Sequence, residues 1–199
     1  MADDGEQRLV TFTRHFRLTQ VRQDLFQITL PCTKLPFGWN KPTNCWLLLD
    51  PDGFTLVDAG YEESAAAILE AIEFVSKQVI GTMLGLKRVV ITHAHPDHGG
   101  AASRLCRIEG VEVYAHTADC EYFTHEKYMH KSVGSPVCRF ALWSGWLTGF
   151  TLPRASGVKP LEHLDRSGSL TVGKRSSKDR LSRGWLIWHG EVALVLREH

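Results

Sequence analysis

The sequence predicts a single domain of mixed α/β class. Short apolar strands separated by turns come first, an amphipathic helix follows, and a strand, loop, helix, strand unit comes next. The chain has 199 residues, of which 43% are hydrophobic and 23% are charged. This composition is typical of a globular protein and excludes a collagenous, coiled-coil or disordered chain. We therefore expect one domain over residues 1–199.

The predicted strands of the first part form a β-meander. Asp24–Leu30 mixes apolar and β-favouring residues and stops at Pro31. Cys45–Leu49 and Phe54–Val57 are short apolar runs, and the four residues Asp50-Pro51-Asp52-Gly53 between them suit a tight hairpin turn. These strands lie close in sequence, so we expect them to pair with one another.

The segment that follows has the pattern of an α/β unit. Apolar residues in Glu62–Ile80 recur at spacings of three and four, which predicts an amphipathic helix that Gly81 would end. Arg88–Thr92 and Val111–Ala115 are rich in apolar and β-branched residues and are predicted to be strands, and Gly99–Arg107 between them is helical in pattern.

The remaining part of the chain consists of three segments of different composition. Thr117–Leu152 is an aromatic-rich helical insertion that either packs in the core or forms a lid or wall for a substrate. Pro153–Arg183 has eight basic and three acidic residues, and we interpret it as a solvated loop. The apolar runs Trp185–Trp188 and Val192–Leu196 are strand-like.

Charge and hydropathy exclude several classes of protein. The formal net charge is +1, so no basic field favours nucleic acid as a partner. The longest uncharged stretch, Phe140–Pro153, is too short for a membrane span and is interrupted by glycine and proline. No apolar segment follows the acidic first residues, so we expect a cytoplasmic protein with reduced cysteines.

The motif that indicates chemistry is His93-Ala94-His95-Pro96-Asp97-His98. Three imidazoles and one carboxylate occur within six residues, directly after a buried type of strand and before a helix. Imidazole and carboxylate are ligands of Zn²⁺ and Fe²⁺, and α/β sheets place their sites at the carboxyl ends of strands. The spacing suits two ions, with His93 and His95 facing one, and Asp97 and His98 facing another.

This motif resembles the His-x-His-x-Asp-His signature of the metallo-β-lactamase superfamily. Leu56-Val57-Asp58-Ala59-Gly60 is similar to the family's upstream strand that ends in Asp-x-Gly, and Asn44-Cys45-Trp46-Leu47 resembles the strand before it. The resemblance covers roughly residues 24–115. It implies an αββα sandwich, in which two sheets are flanked by helices and the metal site lies at one edge.

The resemblance also implies a role for each residue of the motif. His93 and His95 match ligands of the first metal, Asp97 and His98 match ligands of the second, and Asp97 would also orient a metal-bound hydroxide. Asp58 matches an acid beside the metals, although its local sequence alone also fits an ordinary turn. One or two Zn²⁺ ions, with Fe possible, would support hydrolysis of an ester, thioester, lactone or phosphoester, as in hydroxyacylglutathione hydrolase-like members.

The later family signals are incomplete. The Pro-Gly-His turn of the third histidine ligand is missing, and His189 is the only candidate for its place; it is either a ligand on a rearranged turn or, as we favour, the polar end of a strand. The bridging Asp and last His are also missing, so the resemblance implies a second half truncated at the C-terminus.

Two alternatives to a hydrolase therefore stay open. One is a catalytically impaired or inactive protein of the same fold, whose Val192–Leu196 strand could leave an open edge for a homo-oligomer. The other is an iron-dependent sulfur dioxygenase, because the family's mononuclear dioxygenases keep a histidine at the position of His95. Members with a di-iron redox centre have Glu there, so His95 favours the hydrolytic branch.

Overall fold

The computed structural model describes residues 10–31, 42–124, 152–161, 182–188 and 191–197. Its main feature is a sheet in which eight strands lie side by side in the order of the chain. The strands are β1 (Val10–Phe12), β2 (Arg17–Arg22), β3 (Leu25–Leu30), β4 (Thr43–Asp50), β5 (Gly53–Val57), β6 (Leu86–Ile91), β7 (Glu112–His116) and β8 (Val158–Leu161). Neighbouring strands from β1 to β5 pair antiparallel, and those from β5 to β8 pair parallel.

Helices connect the parallel strands. Helix α1 continues as one π-helical segment that ends at Gly81, whose φ of 75° is the left-handed conformation that glycine adopts without strain. The helices are α1 (Ser64–Phe74, then the π-helical Val75–Ile80), α2 (Pro96–Gly99), α3 (Ala102–Leu105) and α4 (Thr117–Thr124). Among the described residues, no helix combines the length and the apolar character needed to cross a bilayer.

A second sheet consists of two antiparallel strands. Strand β9 (Ser182–Trp188) pairs with β10 (Glu191–Arg197), and Trp185 lies opposite Leu194. These strands coincide with the apolar runs that the sequence indicated. The mixed α/β class predicted from the sequence is therefore confirmed.

Side chains on both faces of the central strand β5 are buried. All five residues of β5 are buried. Because successive side chains point to opposite faces of a sheet, Leu56 and Val57 belong to different clusters. The larger cluster includes Phe26, Phe54, Ile68 of α1 and Phe123 of α4. The smaller one, on the other face, consists of Leu25, Leu48 and Val57, with Val21 and Trp46 packed against it.

The meander prediction holds in detail. Asp50 pairs with Gly53 across the hairpin, and Gly53 has a φ of 140°. A Cβ at Gly53 would lie 2.5 Å from the carbonyl oxygen of Gly85, so this turn requires glycine. Cys45 is buried as a free thiol between these strands, and burial raises its pKa.

Two expectations about local structure are wrong. Residues 153–183 are not all loop, because Val158–Leu161 is strand β8. Pro160 of β8 pairs with Ala115 of β7, and because β8 is the outermost strand of this sheet among the described residues, the missing N–H of proline costs no hydrogen bond to a further strand. The helix predicted over Gly99–Arg107 is shorter, because α3 covers only Ala102–Leu105 and Gly99 ends the separate helix α2; Gly100, a poor helix former, lies between the two. In addition, strands β1 and β2 were not predicted.

The predicted insertion Thr117–Leu152 is described only at its two ends. Its first part is helix α4, and Leu152 is buried against the core. Residues 125–151 lie outside the described part of the chain. The choice between core and substrate wall stays a prediction for them.

Candidate metal centre

The motif lies where β5 and β6 end side by side. These strands are parallel, and Val57 lies opposite Val90. Asp58 follows β5 directly, and Thr92 follows the last residue of β6. Because parallel strands end at the same edge of a sheet, two segments far apart in sequence meet at this point, which is where α/β sheets carry their sites.

The loop after β6 folds back on itself within a few residues. The backbone N–H of His95 donates to the carbonyl of His93 at 3.0 Å, and the N–H groups of His98 and Gly99 donate to the carbonyl of His95 at 3.0 and 2.7 Å. His95 is extended, and Pro96 begins α2, a position where its missing N–H costs no hydrogen bond. The chain therefore turns sharply between His93 and His98.

This turn brings the three imidazoles together. The ring centroid of His93 lies 4.6 Å from that of His95 and 4.1 Å from that of His98. An oxygen of Asp97 lies 3.5 Å from Nε2 of His98. All four side chains of the motif therefore form one cluster, which we call the histidine cluster. Their role as metal ligands stays a prediction.

Asp58 joins the cluster from the other loop. Its side chain is 8% exposed, and its Oδ2 lies 2.8 Å from Nδ1 of His98. The backbone N–H and the hydroxyl of Thr92 both donate to Oδ1 at 2.8 Å. Asp58 has a φ of 61°, an uncommon conformation for a residue with a side chain, and its own N–H donates to Val90. Strain of this kind concentrates at functional sites.

Two loops interlock behind the cluster, and glycine makes this possible. The N–H of Ala59 donates to the carbonyl of His98 at 2.7 Å. A Cβ at Gly100 would lie 2.4 Å from the carbonyl oxygen of Pro96 and 2.7 Å from the backbone nitrogen of Glu62. Both atoms belong to the backbone and cannot move aside easily, so the close approach requires glycine.

Burial and neighbouring charge affect the protonation of the cluster. Burial, followed by the nearby rings of His98 and His95, lowers the pKa of His93. A lowered pKa favours the neutral imidazole, which is the form that binds metal.

Asp119 is a residue of the site region that the sequence analysis missed. Burial raises the pKa of Asp119, while the nearby imidazoles of His116 and His95 act in the opposite direction. It lies in the first turn of α4, directly after β7, and Ala115 of β7 pairs with Ile91 of β6. The sequence did contain one signal, because Asp119 is an acid three residues after His116, the last residue of the strand that pairs with β6.

The donor types of the cluster fit a zinc or iron ion, because imidazole nitrogens and a carboxylate are the ligands that these metals accept. Within the described ranges, however, no three His, Cys, Asp or Glu side chains are arranged to hold an ion. The donor types therefore suit the metal, but the described side chains do not form a complete ligand set. His189, the candidate third histidine, lies outside the described residues.

Two curated relatives from Bacillus subtilis (strain 168) resemble parts of this chain. The probable metallo-hydrolase YflN is 36% identical over 75 residues, which are 38% of this chain and 27% of YflN. The probable metallo-hydrolase YybB is 26% identical over 110 residues, which are 55% of this chain and 45% of YybB. The chain thus spans less than half the length of the curated relatives it matches.

Solved structures share the fold at low sequence identity. A metallo-beta-lactamase from Erythrobacter litoralis superposes with a TM-score of 0.58 at 19% identity, over 94% of this chain and 69% of that one. FIM-1 from Pseudomonas aeruginosa, in its mono-zinc form, gives a TM-score of 0.52 at 20% identity, over 79% of this chain and 55% of that one. The model of the metallo-beta-lactamase superfamily matches residues 38–175, which include the whole histidine cluster and Asp58. The chain belongs to the metallo-beta-lactamase superfamily.

Proposed function

We propose that the chain is a metal-dependent hydrolase whose site is the histidine cluster. The observation that carries this proposal is the meeting of His93, His95 and His98 within 4.1 to 4.6 Å, with His98 held by the buried carboxylate of Asp58. Such an arrangement places several nitrogen donors at one edge of the sheet. The names of YflN and YybB as probable metallo-hydrolases support it.

In this proposal, His93 and His95 hold a first ion, and Asp97 and His98 hold a second when two are present. Zinc is the metal we expect, with iron as the alternative. A bound ion of this kind lowers the pKa of water and polarises a carbonyl or phosphoryl oxygen.

The chain's own residues orient and hold protons around that chemistry. Asp58 accepts a hydrogen bond from Nδ1 of His98, which fixes the ring with Nε2 on the side of Asp97. Asp97 is partly exposed beside Nε2 of His98, so its carboxylate can accept a hydrogen bond from a water at the mouth of the site. We therefore assign Asp97 the catalytic role and Asp58 the positioning role.

The same proposal covers the substrate, the branch of the family, the location, a further ligand and the assembly. The substrate is a small molecule with an ester, thioester, lactone or phosphoester bond. We place the chain near the hydroxyacylglutathione hydrolase-like branch, in the cytoplasm, with His189 as the candidate additional ligand. A homo-oligomer through the edge of strand β10 is the expected assembly.

Metal analysis combined with an activity panel tests the proposal. Purification of the chain without chelator should give near-stoichiometric zinc or iron, and hydrolysis of generic thioester, lactone and phosphodiester substrates should disappear in His95→Ala. His15→Ala is the matched control, because His15 is exposed and pairs with Glu70 outside the cluster. Metal at background level, or activity that survives His95→Ala, would overturn the proposal. Iron with oxygen consumption and no hydrolysis would replace it with dioxygenation.

A further inference from the structure

We propose that Thr92 is a positioning residue whose hydroxyl, ordered by Asp58, fixes the imidazole of His93 with its proton on Nδ1. The Nε2 atom of His93 is then left with a free lone pair directed away from Thr92. The use of that lone pair as a metal ligand rests on the proposed function, whereas the position of the proton does not.

The hydroxyl oxygen of Thr92 lies between the carboxylate of Asp58 and the imidazole of His93. Oγ1 of Thr92 lies 2.8 Å from Oδ1 and 3.0 Å from Oδ2 of Asp58, and 3.1 Å from Nδ1 of His93. The threonine is buried, and its backbone N–H also donates to Oδ1 of Asp58 at 2.8 Å. Two donors from one residue therefore fix the threonine side chain against the carboxylate.

The direction of each hydrogen bond follows from the count of protons. A hydroxyl has one hydrogen to donate, and an ionised carboxylate can only accept. The hydroxyl hydrogen of Thr92 must therefore point to Asp58, since its oxygen would otherwise face two carboxylate oxygens without a proton between them. What remains toward His93 is a hydroxyl lone pair, so Nδ1 of His93 has to be the donor.

The same carboxylate acts on His98 without an intermediary. Nδ1 of His98 lies 2.8 Å from Oδ2 of Asp58, and it must carry the proton because the carboxylate has none to give. One buried acid thus sets the tautomer of two imidazoles, directly for His98 and through the hydroxyl of Thr92 for His93. The hydrogen bond at one ring nitrogen decides the state of the other, so each neutral ring has its lone pair on Nε2, which in His98 lies 3.5 Å from an oxygen of Asp97.

Nitrogen NMR of the metal-free full chain tests this inference. In protein with ¹⁵N-labelled histidine above pH 7.5, long-range ¹H–¹⁵N correlations distinguish the two tautomers, and His93→Gln assigns the His93 signal. We expect the Nδ1–H pattern for both His93 and His98. An Nε2–H pattern for His93 in the unsubstituted chain would overturn the inference.

Two substitutions separate positioning from simple packing. Thr92→Val keeps the shape of the side chain and removes the hydroxyl, so His93 should lose its pure Nδ1–H pattern while His98, held directly by Asp58, keeps it. Thr92→Ser restores the hydroxyl and should restore the His93 pattern. An unchanged His93 pattern in Thr92→Val would overturn the inference.

Zinc titration against a competing chelator distinguishes this inference from the proposed function. Loss of an outer hydrogen-bond partner of a ligand typically weakens metal binding about 10- to 100-fold, so we expect about a tenfold loss in Thr92→Val and near-normal affinity in Thr92→Ser. If the unsubstituted chain bound no zinc but showed the Nδ1–H pattern, the proposed function would fail and the tautomer assignment would stand. If zinc bound normally to Thr92→Val, the positioning role would fail and the metal site would stand.

Discussion

Asp58 and His98 are connected twice, although forty residues separate them in sequence. The carboxylate of Asp58 accepts from the His98 ring at 2.8 Å, and the neighbouring N–H of Ala59 donates to the His98 carbonyl at 2.7 Å. The first contact orients the ring, and the second fixes the backbone that carries it. The loop after β5 thereby determines where the loop after β6 presents its side chains.

Replacement of Asp58 by Asn should weaken metal binding more than it disturbs the fold. Asn tolerates the left-handed conformation at this position, so the backbone can be kept. The amide is a weaker acceptor for the donors of Thr92 and His98, and we expect a loss in zinc affinity of about 10- to 100-fold in a chelator competition titration. Glu73→Gln, on the exposed face of α1, is the control, and equal affinities in the two variants would contradict the prediction.

Gly100→Ala should destabilise the protein, whereas Gly85→Ala should not. The new Cβ at Gly100 would lie 2.4 Å from the carbonyl oxygen of Pro96, which is a backbone atom, while no atom lies within 4 Å of a Cβ at Gly85. Overpacking of this kind typically costs about 1–3 kcal/mol, and urea unfolding followed by circular dichroism measures it. Equal unfolding midpoints for the two variants would show that the two loops do not pack as tightly as described.

The pair of Asp52 and Arg88 should give a small, pH-dependent stabilisation. The hydrogen bond from Arg88 lowers the pKa of Asp52 from its ordinary value of 3.8. The folded chain then keeps this carboxylate ionised at pH values where the unfolded chain protonates it. The stabilisation is therefore present above pH 3.8 and is lost as the pH falls through the lowered pKa.

Asp52→Asn tests this dependence by urea unfolding at neutral and acidic pH. Because half of the Asp52 side chain is exposed, solvent screening limits the difference in unfolding free energy at pH 7 to less than about 1 kcal/mol. The difference should shrink toward zero when both proteins are compared below pH 3.8. A difference that grows with acidification would have the wrong sign for this pair.

Phe123→Ala should remove an anchor of α4 beside the motif. The Phe123 side chain is fully buried, and its ring lies against Gly99, which follows His98. Truncation of a buried phenylalanine typically costs about 3–5 kcal/mol. Phe12→Ala is the matched control, because Phe12 is 69% exposed and its loss should change the unfolding free energy little.

The sequence predicted those elements whose signal is local. Gly81 ends α1 as expected, and the Asp50–Gly53 hairpin forms because glycine supplies a backbone angle that other residues resist. The histidine cluster was also visible, since its members are confined to six residues after a strand. Features of this kind depend on neighbours in the chain and are therefore readable from it.

The missed features depend on contacts between distant residues. Strand β8 contains Lys159 and Pro160 and becomes a strand only because β7 offers it a pairing edge. Asp119 belongs to the site region because β7 lies beside β6, a neighbour relationship that the sequence does not state. The direct contact of Asp58 with His98 also spans two strands, so a turn residue and a positioning residue looked alike in the sequence.

The large sheet adds its strands in the order in which they occur along the chain. Every new strand therefore joins an edge that already exists, and no strand has to wait for a later one to fill a gap beside it. Residues 53–98 contain both strands of the β5–β6 pair and the two side chains that it brings together, Asp58 and His98, and no other strand lies between β5 and β6. The hydrogen bonds that join Asp58 to Thr92 and to His98 therefore lie within one continuous segment of the chain.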